Sequence, residues 1–292
     1  MGHAMMSVLV IGATGALGSD CVTAFAPDGA VGLGHEDLDI TDAAAVAAAL
    51  DRHHPRVVVN TAAFHNVPRC EKEPEAAYRT NAIAPRQLAQ ACERRGVRLV
   101  HISTDYVFDG MQRTPYAEND RPNPQSVYAQ SKLAGEYGVL SVGGGHQVVR
   151  SSGLYGLRPC RAKGGNFIDT MLRLSREQPH VRVVEDEVLA PTSTADLAAQ
   201  LRIIAHEGTP GIYHATNSGQ CSWYEFARAI FDLAGLTVPL HPTTASAFAD
   251  GVRRPPYSVL DNSVLRAQGL HLMRPWREAL TDYMTRRGAG AN

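Results

Sequence analysis

The chain has 292 residues, 44% of them apolar and 20% charged, with a formal net charge of -1 at pH 7. That length can bury a sizeable core in one large domain or two smaller ones, and the near-neutral charge, without a block of five like charges, excludes an electrostatic hold on nucleic acid or an anionic membrane. No apolar run approaches the roughly 20 residues of a membrane span and no signal-peptide pattern opens the chain, so a cytoplasmic protein acting on a small molecule is expected.

Met1 to Met5 reads as an added leader, and the fold is expected to start near Met6. Ser7 to Ile11 then reads as a buried strand, and Gly12-Ala13-Thr14-Gly15-Ala16-Leu17-Gly18 follows it directly and opens a helix. Each glycine has its own task there. Gly12 permits the tight turn, Gly15 lets backbone approach a diphosphate at the helix's positive end, and Gly18 lets helix and strand pack closely. A dinucleotide cofactor is therefore expected on this turn. The second strand ends at Leu33-Gly34-His35 without an obvious acid for a ribose 2'-hydroxyl. His35 either accommodates a 2'-phosphate or is an ordinary surface histidine, so NADPH and NADH both stay open, with NADPH favoured. An alanine-rich helix follows at Ala43 to Leu50, then a strand at Val57 to Asn60.

Leu99 to Ser103 reads as the next buried strand, with Thr104, Asp105 and Tyr106 at its end. Tyr128 and Lys132 lie four apart in a helical stretch, so phenol and ammonium can address one site. A free tyrosine has a pKa of about 10, and an adjacent ammonium lowers it toward useful proton transfer. Thr104 can offer a hydroxyl to a carbonyl oxygen as it becomes negative. These three are the candidate catalytic residues.

Gln147 to Arg150 is a further strand, after which Gly156 to Asn166 reads as loop and Phe167 to Leu174 as helix. Val181 to Val184 and Ile212 to His214 read as strands, with a helix beginning near Thr194. Ser222 and Glu225 form a capping box for a helix to about Ala234, and His241 to Pro256 reads as loop. Strands alternating with helices predict a doubly wound parallel α/β sheet with a smaller C-terminal lobe. The expected division is a dinucleotide-binding domain at 6–152 and a substrate lobe at 153–285, with 181–215 returning to the sheet. Cys21, Cys70, Cys92, Cys160 and Cys221 are odd in number and lack a C-x-x-C pair, so reduced thiols are expected. No metal site is expected: the histidines lack ligand spacing, Glu185-Asp186-Glu187 reads as a solvated loop, and Trp223 and Phe226 read as helix core.

The G-x-x-G-x-x-G spacing resembles that of extended short-chain dehydrogenases. Leu38-Asp39-Ile40-Thr41-Asp42 is similar to that family's adenine-contacting segment, and Asn60-Thr61-Ala62-Ala63 to its strand end beside the cofactor. Read alone, Asp39 is equally a loop acid and Asn60 a turn residue. Ser103 through Gly110, Tyr128 through Glu136, Gly165-Asn166-Phe167, Ala190-Pro191-Thr192 and Arg253-Arg254-Pro255 resemble dTDP-4-dehydrorhamnose reductase signatures along nearly the whole chain. The resemblance implies hydride delivery from NAD(P)H to C4 of a nucleotide-bound 4-keto-6-deoxy sugar by a monomer or homodimer. It assigns proton donation to Tyr128, ribose contact and pKa lowering to Lys132, and oxygen polarisation to Thr104. Cofactor contacts fall on the Gly12 to Gly18 turn, His35, Asp39, Ile40, Asn60, Ala62 and Ala63, and substrate contacts on Asp105, Tyr106, Gly153, Asn166, Phe167 and Arg254.

Two departures mark the resemblance. Gly153 stands where the family often has tryptophan, which suggests an open wall in the sugar subsite, and Val67-Pro68-Arg69 replaces a V-D-K segment. Two alternatives share the scaffold: the nucleotide-binding regulatory subunit of methionine adenosyltransferase, and nucleotide-sugar epimerases or dehydratases. Dehydratases usually carry an Asp-Glu pair beside the threonine, whereas Thr104 is followed by Asp105-Tyr106.

Overall fold

Short β-branched runs build the centre of the molecule, because such side chains suit a pleated surface covered on both faces. The structure, a computed structural model, describes residues 7–158, 165–248 and 251–289. Cys160, the first six residues and the middle of the expected 156–166 loop lie outside the described residues. Strands β1 (Val8–Ile11), β2 (Val31–Leu33), β3 (Val57–Asn60), β4 (Arg98–Thr104) and β5 (Gln147–Ser151) alternate with helices. These helices are α1 (Ala16–Ala24), α2 (Ala43–His53), α3 (Val67–Lys72), α4 (Pro74–Tyr78), α5 (Ala84–Glu93) and α6 (Val127–Leu140). Every residue of β1, β3 and β5 is buried, as a sheet sandwiched between helical layers requires.

Further along lie β6 (Leu154–Tyr155), β7 (Val181–Val184), β8 (Val188–Leu189), β9 (Thr192–Ser193), β10 (Gly211–His214), β11 (Cys221–Ser222) and β12 (Leu240–Thr243). Helices α7 (Phe167–Glu177), α8 (Thr194–Glu207) and α9 (Trp223–Ala234) separate them. The main sheet has six parallel strands in the order β10-β5-β4-β3-β1-β2. The expected doubly wound α/β fold is what forms. The chain leaves β1 for β2 on one side and returns to β3 on the other, so a crevice opens at the carboxyl ends of β1 and β3.

The expected return of 181–215 to the sheet is corrected in part. β10 pairs with β5, but β7 pairs with β12 in a separate two-stranded parallel sheet. Arg182 of β7 is exposed while Val181 and Val183 are buried, a one-sided pattern unsuited to a sheet covered on both faces. The same pairing shows that His241 to Thr243, read as loop, belongs to a strand. The lobe has its own aromatic core, in which Phe226, Tyr155, Ile168 and Trp276 are buried. Ser222 and Glu225 cap α9 reciprocally, with Ser222 N–H donating to Glu225 at 2.8 Å and Glu225 N–H to Ser222 at 3.1 Å. Cys21, Cys70, Cys92 and Cys221 are buried and in the thiol form.

One buried ion pair joins α6 to the sheet. Arg150 Nη2 donates to Glu136 Oε2 at 2.7 Å and its Nε lies 3.0 Å from Oε1, with both side chains at most 1% exposed. Ser103 Oγ donates to Glu136 Oε1 at 2.5 Å, and Arg150 Nη1 lies 3.3 Å from His214 Nε2. Removing one partner of such a pair leaves a buried charge uncompensated. Glu136→Gln is expected to lower unfolding free energy by about 3–5 kcal/mol, measured by urea denaturation. A loss under about 1 kcal/mol would show that the pair contributes little.

Candidate active site

The glycine turn is shaped by close backbone contacts. Gly12 has φ +82, and a Cβ there would come 2.7 Å from Thr61 Oγ1 and 2.9 Å from the Ala62 amide nitrogen. At Gly18 a Cβ would sit 2.2 Å from the Gly12 carbonyl oxygen, which forbids any side chain where α1 crosses the turn. Gly15 differs: a Cβ would meet only Gly12 O, at 3.4 Å. It is the N-cap of α1 and supplies no side-chain cap, so the first amides of the helix have no side-chain acceptor from that residue. That cradle fits the diphosphate of a dinucleotide.

The other expected cofactor residues serve differing ends. Thr14 rests against Gly34, and Ala16, Ala62 and Ala63 are half-buried around the crevice. Leu17 and Ile40 are core residues, 6% and 5% exposed, so they can offer a ligand chiefly backbone. His35 is exposed just beyond β2, while Asp37 turns back to accept the Gly34 N–H at 2.8 Å. Asp39 accepts from Thr41 N–H at 2.9 Å and Thr41 Oγ1 at 2.8 Å; these bonds hold its carboxyl below the usual range. Asn60 is fully buried with both ends of its amide engaged, by the Ala62 N–H and by His101. Its side chain is thus engaged by protein groups behind the crevice.

Thr104 ends β4 and Tyr128 begins α6, whose N-cap Ser126 accepts the Ala129 N–H. Thr104 Oγ1 donates to Asp105 Oδ1 at 3.0 Å. The same hydroxyl acts on the Tyr128 phenol, and with its one proton committed it can meet Tyr128 only as an acceptor. Tyr106 meets Tyr128 edge to face, with centroids 6.1 Å apart and planes at 81°. Burial pushes the Tyr128 phenol above its ordinary value, the Thr104 bond pulls it back, and the Asp105 charge raises it again. Lys132 is not among these forces. Its Nζ donates to Ile102 O at 2.6 Å, and burial brings it down to about 8 against an opposing pull from Glu136. The spacing of Tyr128 and Lys132 thus places both on one helix, but the expected lowering of the phenol by Lys132 is not expressed in this arrangement.

Asp105 was expected to bind substrate. Instead its Oδ1 accepts from Thr104 and its Oδ2 from Ser152 Oγ at 2.7 Å, and burial raises its carboxyl against the opposing pull of the Ser258, Ser152 and Thr104 hydroxyls. It orients Thr104 directly.

Three other expected substrate residues are tied into the protein itself. Gly153 has φ +55, and a Cβ would meet Leu189 Cδ1 at 2.6 Å and Pro191 Cα at 3.2 Å. No open wall exists on that side. Asn166 is the N-cap of α7, accepting the Asp169 N–H at 3.0 Å and donating to Gly156 O at 3.0 Å and Tyr283 Oη at 3.1 Å. Phe167 packs on Trp223, 4.5 Å between centroids, and on Phe226. Both therefore build the lobe. Arg254 and Glu187 both act on Tyr106 by charge, in opposite senses. Glu187 is the residue missed in the acidic run. Its signal was the apolar pair after it, since Val188 donates to Pro256 O at 2.9 Å and so lays Glu187 beside the Arg254 segment.

A family model described as the RmlD substrate binding domain matches residues 6–288. The chain belongs to the dTDP-4-dehydrorhamnose reductase family. It is 44% identical over 284 residues to the dTDP-4-dehydrorhamnose reductase of Streptomyces griseus, covering 94% of this chain and 91% of that one. It is 38% identical over 291 residues to the spore coat polysaccharide biosynthesis protein SpsK of Bacillus subtilis, covering 99% and 100%. Among solved structures, dTDP-4-dehydrorhamnose reductase from Bacillus anthracis in complex with NADP matches with a TM-score of 0.90 at 36% identity, covering 96% of this chain and 98% of that one. The fold is the Rossmann-like one of extended short-chain dehydrogenases, and the family uses NAD(P)H.

Two outcomes test the site geometry. Gly15→Val should fill the cradle and weaken NADPH binding at least about tenfold, about 1.4 kcal/mol by calorimetry, with the fold retained. Unchanged affinity in the folded variant refutes that placement. Gly153→Trp should destabilise the protein by about 1–3 kcal/mol in urea, through its left-handed backbone and the clash with Leu189 and Pro191. A stable variant with altered sugar preference would restore the open-wall expectation.

Proposed function

We propose that this protein reduces the C4 keto group of a nucleotide-bound 4-keto-6-deoxy sugar, with NAD(P)H as the hydride donor and Tyr128 as the proton donor. The observation that carries the reading is the Thr104 hydroxyl at the end of β4 acting on the buried Tyr128 phenol, at the same sheet edge as the Gly15 turn. A phenol so buried gives up its proton only to a strong acceptor, and an oxygen gaining negative charge at C4 is one. Names of the relatives, dTDP-4-dehydrorhamnose reductase in S. griseus and dTDP-4-keto-6-deoxy-D-glucose reductase in Streptomyces niveus, support the substrate class.

The amides opening α1 would hold the cofactor's diphosphate, and Lys132 would reach the nicotinamide-side ribose. Bound NAD(P)H supplies the hydride. Tyr128 Oη transfers its proton to the C4 oxygen, which leaves a phenolate and an alcohol. Thr104 Oγ1, released from Asp105, can then turn its proton toward that phenolate. Asp105 itself stays in place through the step, because Ser152 still holds its carboxylate, so Thr104 can return to it afterwards. Tyr106, Glu187 and Arg254 line the approach, with Arg254 offering a cation to the nucleotide's phosphates. The reading places a monomer or homodimer in the cytoplasm, with its nucleotide sugar and NAD(P)H as partners.

Tyr128→Phe should lower kcat by roughly 10² to 10⁴ with a dTDP-4-keto-6-deoxy sugar and leave NADPH affinity nearly unchanged. Thr104→Val should mainly lower kcat. Near wild-type turnover by Tyr128→Phe would remove Tyr128 from proton transfer. Wild-type protein that binds NADPH but oxidises it with no 4-keto sugar would favour a nucleotide-binding regulatory role.

A further inference from the structure

Asn60 of β3, His101 of β4 and Lys132 of α6 form a buried row behind the site, with side chains in residues 0%, 0% and 2% exposed. Asn60 and His101 are direct partners in the strand register. Asn60 Oδ1 accepts the Ala62 N–H at 3.1 Å, which fixes the orientation of the amide. Its Nδ2 therefore faces His101 Nδ1, 3.1 Å away, and an amide nitrogen can only donate. Nδ1 must present a lone pair, so the neutral ring carries its proton on Nε2. Burial, with the Lys132 charge beside it, keeps the ring neutral.

That proton points at Lys132 Nζ, 3.5 Å from Nε2. An ammonium has three donors and no lone pair, so it meets the Nε2–H head to head. A neutral amine accepts the Nε2–H and still donates to Ile102 O at 2.6 Å. We propose that His101, its tautomer fixed by Asn60, is a positioning residue that favours the neutral amine of Lys132 and so sets the alkaline limit of the reductase. This rests on the function proposed above, and takes the ammonium as the form of Lys132 that turnover needs.

The charged group acting on Lys132 is Glu136, one turn further along α6, while the neutral ring of His101 faces it from β4. Glu136 is already engaged by Arg150 of β5 and by Ser103, and β3 contributes the neutral amide of Asn60. Burial brings Lys132 down to about 8. Activity that needs the ammonium is therefore present below that pH and is lost as pH rises through it.

Asn60→Asp reverses the row. One carboxylate oxygen still accepts the Ala62 N–H while the other takes a proton donated by Nδ1, which leaves the Nε2 lone pair to accept from a Lys132 ammonium. The experiment follows the Lys132 side-chain carbon and the His101 ring nitrogens by NMR, alongside kcat/KM against pH. In the wild type, Nε2–H and a Lys132 midpoint near 8 are expected; in Asn60→Asp, Nδ1–H and a midpoint raised by at least about one unit, with the alkaline limb moving equally. A wild-type ring protonated on Nδ1 overturns the proposal, and that measurement needs no variant to fold. The double variant Asn60→Asp/His101→Met separates tautomer from simple charge: the shift should largely vanish, and a full shift would overturn the proposal. Because NMR reads the titration without turnover, failure of the reductase reading alone leaves this test intact.

Discussion

The catalytic helix is held by the Glu136–Arg150 pair, and the rest of the site depends on that attachment. An ion pair this deep is stable only when its remaining bonding capacity is met, since desolvation otherwise outweighs attraction. Ser103 supplies one further bond to the carboxylate, and the Phe108 ring covers the guanidinium at 5.2 Å. His214 completes the set: its Nδ1 lies 3.0 Å from Tyr116 O and donates there, so Nε2 is free to accept from Arg150. Burial and the Arg150 charge hold this ring down to about 3, so it stays neutral at working pH. The chain of contacts fixes α6 against β5, β4 and β10 at once, and with it the heights of Tyr128 and Lys132 above the sheet.

From that support the strand end at Thr104 acquires its chemistry. Asp105 is fastened by Ser152 after β5, and the Ser258 hydroxyl from the far part of the chain acts on the same carboxyl, so both halves of the molecule bear on the group that directs one threonine hydroxyl. Desolvation raises the Tyr128 phenol strongly, and only a matched acceptor can draw its proton. Selectivity for an electron-rich oxygen in the transition state is thus a property of burial as much as of any single side chain.

Local pattern made much of this readable. Val57 to Asn60 and Val181 to Val184 form strands with the expected bounds, the Ser222–Glu225 box starts its helix, and the glycine turn sits where strand gives way to helix. What sequence pattern withholds is pairing partner and side-chain destination. The run Val181-Arg182-Val183-Val184 is a strand in either sheet, and only distant Leu240 to Thr243 decides which. Asn166 and Phe167 match a family motif, yet a motif marks a position without saying whether it caps a helix or touches a ligand. The backbone at Gly153 is similarly silent in sequence, because a missing side chain signals either room or a left-handed turn. Glu187 and Asp105 escaped for the opposite reason: their roles come from residues up to 153 positions away, such as Ser258.

The interleaving of the two halves bears on how the chain acquires its structure. β7 and β12 pair with one another, yet the segment between them sends α8 onto α1 and β10 onto the edge of the large sheet. A nascent chain that has emerged only as far as β5 therefore has an unpaired sheet edge and an uncovered apolar face on α1, both prone to association with other chains. Closure must wait for the residues around His214, and the lobe's small sheet for those around Thr243. A fragment ending after β5 would be a poor folding unit, and the two halves should melt in one cooperative transition.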